Sequence, residues 1–138
     1  MDGKITLITP PDIFENSNIS ILLAHLTEEE QDEATAWLSN TSFDQDLNIY
    51  FYNGEQNVAW FLYALNRSDY KYINIDSSNY ITQALSGYAL GKSNTYYSTA
   101  DANLTQVYSH INSKKVTNVK EFLEGILGDQ TNTNQPLL

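Results

Sequence analysis

Apolar and polar positions along the chain fall into short alternating runs separated by longer stretches of helical period. Lys4-Ile5-Thr6-Leu7-Ile8-Thr9 alternates like a half-buried strand and ends at Pro10-Pro11, which cannot donate to a ladder. Residues 47–52, Leu-Asn-Ile-Tyr-Phe-Tyr, are rich in β-formers and close on the turn pair Asn53-Gly54. Residues 70–75 alternate again and run into Asp76-Ser77-Ser78, and residues 94–99 give a fourth, shorter and more polar strand.

Helical spacing fills the gaps. Thr27-Glu28-Glu29-Glu30 is a capping box, with Thr27 as N-cap and Glu30 reaching back, and it opens a helix through Leu38. Val58, Phe61, Leu62 and Leu65 repeat at i, i+3, i+4 and i+7. Ile81, Ala84, Leu85 and Tyr88 do the same, with Gly91 as the stop. Leu104, Val107, Tyr108 and Ile111 follow Asp101, and Val119, Phe122, Leu123 and Ile126 follow Thr117 with Gly128 as the exit. Residues 18–26 satisfy both periods; their length and their junction with a helix start favour a kinked helical pair over 17–38.

Strands alternating with helices predict an α/β fold: a small three-layer, flavodoxin-like sheet of about four mostly parallel strands with helices on both faces. The expected organisation is one domain over 1–128 and a disordered tail over 129–138. Zero cysteines exclude a disulfide scaffold and a thiol nucleophile. No apolar run approaches the roughly 20 residues of a membrane span, and no signal peptide is visible after Met1.

Charge is distributed unevenly. Residues 1–60 hold eleven acids and Lys4 as the single base, whereas residues 61–138 hold six of each, so the net −10 belongs to the first 60 residues. That field repels phosphate backbones and argues against nucleic acid as a partner. It suits a partner protein with a basic surface. The predicted interaction residues are Glu28, Glu29, Glu30, Asp32 and Glu33 with Trp37, an aromatic anchor beside charges that steer approach.

A second location for chemistry is the carboxyl end of the sheet, where open α/β folds bind ligands. Asn53, Glu55, Asp76, Ser77, Ser78 and Asp101 gather there in the predicted topology, although capping demands the same residue types. No nucleotide fingerprint is present: Gly87-Tyr-Ala-Leu-Gly91-Lys92-Ser93 copies only the end of a phosphate loop and reads as a helix stop. Ser77 or Ser78 with His110 and Asp101 lacks a nucleophile elbow. His25 reads as a half-buried, hydrogen-bonded imidazole, and Asp44-x-Asp46 as a weak hard-cation pair. Lys114, Lys115 and Lys120 read as a solvated helix junction. No catalytic residue, metal site or cofactor is expected.

Two resemblances complete the sequence picture. On Ile5-Thr-Leu-Ile-Thr-Pro-Pro-Asp12 and the stretch from Asn79 to Lys92, the chain resembles small acidic, cysteine-free proteins encoded by tailed phages of cyanobacteria. This likeness implies a phage origin, in the infected host's cytoplasm or the virion, and no activity. The order of elements from Leu47 to Thr99 is similar to the core of Clp-type serine peptidases. The place matching the nucleophile holds Asn79 or Tyr80, and no Gly-rich turn follows Tyr52, so this likeness implies a dead site. Together the readings point to a non-catalytic phage accessory protein that binds a host or phage protein with a basic surface. The alternatives are a small-molecule or nucleotide binder, or an enzyme, at the strand ends, and a virion structural component.

Overall fold

The computed structural model describes residues 3–9, 19–43, 45–53, 57–75, 84, 87–92, 94–109, 111 and 113–132. Its elements in order are β1 (Ile5–Ile8), β2 (Ile19–Ala24), α1 (Glu28–Ser39), β3 (Leu47–Tyr52), α2 (Val58–Arg67), β4 (Tyr70–Asn74), β5 (Thr95–Ser98), α3 (Ala102–Tyr108), β6 (Lys114–Lys115) and α4 (Val119–Asn132). Residues 87–90 are also helical, between β4 and β5. The sheet has six strands in the order β1-β3-β2-β4-β5-β6, and every pairing is parallel. The α/β class and the four predicted strands are present.

The expectation of about four strands is corrected by β2 and β6. β2 occupies residues expected to be helical, and its place in the sheet explains the ambiguity. It lies between β3 and β4, and all six of its residues are buried. Ile19, Ile21 and Leu23 face one core, while Leu22 and Ala24 face the other. A parallel strand covered on both sides reads as a continuous apolar run instead of an alternation. Burial of Ile21, Leu22 and Leu23 contributes about 1.5–3 kcal/mol each. β6 carries the exposed pair Lys114-Lys115, and two lysines on a two-residue edge discourage further strand pairing.

Crossover direction decides which face each helix covers. From β2 to β3 the chain steps one way along the sheet; from β3 to β4, β4 to β5 and β5 to β6 it steps the other way. With one hand of crossover, this single reversal separates α1 from the three helical segments that follow. The buried clusters show that separation. Trp60, Phe61, Ala64 and Leu65 of α2, with Ala89, Leu90 and Tyr108, pack on one face, and Ala34 and Leu38 of α1 with Val119, Phe122, Leu123 and Leu127 of α4 on the other. Helices thus lie on both faces.

Helix boundaries follow local chemistry. Thr27 Oγ1 accepts the Glu30 N–H at 3.1 Å and Glu30 Oε1 accepts the Thr27 N–H at 2.9 Å, which is the predicted capping box. Asp101 caps α3 through the N–H groups of Asn103 and Leu104. Two details differ from expectation. The buried stripe of α2 is Trp60, Phe61, Ala64 and Leu65, leaving Val58 exposed, and Val107 of α3 is likewise exposed. α4 runs on through Asn132, so Gly128 is not its exit; one glycine costs a helix only about 1 kcal/mol, and Val119, Phe122, Leu123 and Leu127 anchor this one in the core. Among the described residues, no helix is long and apolar enough to cross a membrane.

Candidate functional site

Of the residues predicted at the carboxyl edge, Asn53 and Asp101 are described, and both side chains are engaged in the fold. Asn53, just past β3, accepts the Leu26 N–H on its Oδ1 at 3.0 Å and so fixes the turn that follows β2. Asp101 is spent capping α3. Ser98 Oγ donates to the Thr117 carbonyl at 2.8 Å. Glu55, Asp76, Ser77 and Ser78 lie outside the described residues, as do Asp44, His110, Asn79 and Tyr80. Asp46 Oδ1 accepts the Lys4 N–H at 2.8 Å, and no group of three or more metal-ligating side chains occurs among the described residues.

Between β2 and β4 the connections leave for opposite faces of the sheet, which is where a ligand crevice opens in such folds. Here the protein's own carboxylate bridges it. Glu30 Oε1, already accepting the Thr27 N–H, also accepts from Asn74 Nδ2 at 2.7 Å. Asn74 is buried at the end of β4, so the bond ties the first turn of α1 to the neighbouring strand. With Glu28 and Glu29 adjacent, the N-terminus of α1 carries three acids where an anionic ligand would need open N–H groups. The spacing that identified Glu30 as a cap residue held no sign of Asn74, 44 residues away.

His25 follows β2 directly and sits in the left-handed region at φ 63°, uncommon for a residue with a β-carbon. Its N–H donates to the Tyr52 carbonyl at 2.6 Å, carrying the ladder with β3 one residue further. The ring lies 5.5 Å from Tyr52, edge-on, and 5.9 Å from Phe61. It is half-buried as expected, but the expected hydrogen bonding is corrected at one nitrogen: Nε2 is buried without a partner. Removal from water disfavours the charged imidazolium and lowers the pKa from 6.5 to about 4. At neutral pH this histidine is an uncharged packing residue.

The acidic helix presents a different picture. Glu28, Glu29, Asp32 and Glu33 are exposed, and among the described residues their side chains enter no hydrogen bond or ion pair. Of the predicted docking acids, Glu30 is tied into the fold through Asn74. Trp37 is half-buried against Phe43, with ring centroids 6.1 Å apart. It borders an open hollow of about 420 Å³ lined by Glu33, Ala36, Trp37, Asn40, Thr41 and Lys120. Sequence reasoning found Glu33 and Trp37 but not Lys120, which enters from α4. A smaller hollow of about 180 Å³, between β6 and α4, mixes Lys114 and Lys115 with Glu121 and Phe122.

Compared with protein-family models and with curated proteins, the chain matches none.

Proposed function

We propose that this chain is a non-catalytic interaction module that docks a basic protein surface on the outer face of α1, in the phage accessory setting its sequence resemblance implies. The observation that carries the reading is the row of carboxylates, Glu28, Glu29, Asp32 and Glu33, exposed and without a partner among the described residues, leading to the half-buried Trp37. Among the described residues Lys120 is the one base lining the hollow beside Glu33, and the −10 net charge leaves the acids of the row in excess. Such a face speeds encounter with a cationic partner and rejects anionic ones.

The strand order supports a flavodoxin-like reading of the scaffold. Counted from β2, the remaining five strands read 2-1-3-4-5, with β1 added outside β3. That order favours a second reading, a nucleotide or small-molecule binder at the carboxyl edge. It ranks below docking because Glu30 and Asn74 bridge the crevice and three acids crowd the helix start.

The test is binding of a fluorescein-labelled nonapeptide alternating Arg and Gly, read by anisotropy against the same peptide with Glu for Arg. The Arg peptide is expected to bind and the Glu peptide not. Glu29→Lys/Asp32→Lys/Glu33→Lys, which spares the structural Glu30, is expected to weaken binding at least about tenfold at low salt, with the wild-type affinity falling as salt rises. Equal binding of the Arg peptide by wild type and triple variant would overturn the reading.

A further inference from the structure

Beside the row of acids, one hollow brings together a carboxylate, an indole and an ammonium. Glu33 and Trp37 stand at i and i+4 on α1, so carboxylate and indole are neighbours on one helix surface. Both line the open hollow of about 420 Å³. The rim is fixed: Asn40 Nδ2 donates to the Ala36 carbonyl at 2.9 Å, and Thr41 Oγ1 to the Trp37 carbonyl at 2.7 Å. Packing on Phe43 holds the indole, so little side-chain freedom remains to be lost on binding. Glu33 of α1 and Lys120 of α4 both line the hollow, and among the described residues they form no ion pair with each other.

We propose that this hollow is the receptor for one cationic side chain of the docked partner, arginine in preference to lysine, laid on the Trp37 indole and paired with the Glu33 carboxylate. The inference rests on the docking reading and deepens it. Arginine is favoured because its planar guanidinium can stack on the ring and fork onto the carboxylate at once, whereas an ammonium offers a compact, strongly hydrated charge. Lys120 complements the same segment by donating to a backbone carbonyl or carboxylate beside the inserted residue. The other acids of α1 steer approach without contacting that residue.

The experiment compares single neutral variants with the Arg-Gly peptide and with a peptide carrying citrulline, the uncharged isostere, at every Arg. Glu33→Gln is expected to weaken the Arg peptide about tenfold, and Glu29→Gln less than about twofold. Trp37→Phe keeps an aromatic face and should lose part of the affinity. The citrulline peptide should bind weakly and be indifferent to Glu33→Gln. Equal losses from Glu33→Gln and Glu29→Gln would overturn the receptor while leaving the docking face intact, since a diffuse field treats both acids alike. Failure of the Arg peptide to bind wild type would remove both. Glu33 is exposed and unpartnered, so its neutral variant folds normally, and circular dichroism checks this.

Discussion

Phe61→Ala should destabilise the protein by about 4 kcal/mol, read as a lower urea midpoint with an unchanged slope. Phe61 is fully buried on α2, 4.7 Å from Tyr52 and 5.9 Å from His25 between ring centroids. Tyr52 in turn stacks on Trp60 at 6.1 Å with an interplanar angle of 10°. Truncating the phenyl removes its transfer energy and leaves a cavity among rigid rings that cannot collapse into it, which places the cost in the upper range for such changes. The end of β3, the turn after β2 and α2 all lean on this cluster. A cost below about 1 kcal/mol would mean that the aromatic contacts are not the joint between α2 and the sheet.

The second large effect is an acid sensitivity located at His25. Its pKa is about 4 in the folded chain against 6.5 when unfolded, because burial disfavours the imidazolium. The unfolded chain therefore binds the extra proton first. Between pH 6.5 and 4 stability falls as pH falls, and above 6.5 the contribution is fully present. At pH 4.5 the loss from this residue amounts to about 2–3 kcal/mol relative to pH 7.5. His25→Asn tolerates the left-handed backbone and removes the titration. Urea unfolding of both proteins at the two pH values isolates the effect from the carboxylates they share. Parallel pH dependence in the two would show that the imidazole is not withdrawn from water. Phe61→Ala, which opens the ring's surroundings, should move the His25 midpoint back toward 6.5.

Local rules were legible in the sequence where local contacts decide the structure. Thr27 and Glu30 announce α1 by spacing alone, and the strands over 47–52 and 70–74 follow from residue type and alternation. β2 could not be told from a helix, because burial on both faces adds Leu22 and Ala24 to the alternating Ile19, Ile21 and Leu23, so the run also satisfies the helical period. β6 is two lysines long and owes its existence to β5, through pairs such as Tyr97 with Lys115. The same limit holds at the site. Glu33 and Trp37 lie one helical turn apart and are visible as a pair, whereas Lys120 joins them only through the packing of α4 beside α1. At Glu30 the capping spacing is visible in the sequence, whereas its bond to Asn74 spans 44 residues and is not.

Two regions of the molecule differ in how their polar groups are used. One is the carboxyl edge, where Asn53, Asp101, Glu30 and Asn74 spend their polar groups on the fold. The other is the face of α1, where charged groups stay open beside an indole. Backbone amide shifts recorded during titration with the Arg-Gly peptide tell them apart directly. Docking on the acidic helix predicts perturbations over residues 28–41 and at Lys120, with His25, Asn53, Asn74 and Asp101 unmoved. Shifts centred on those four residues, or spread evenly over the surface, would contradict it.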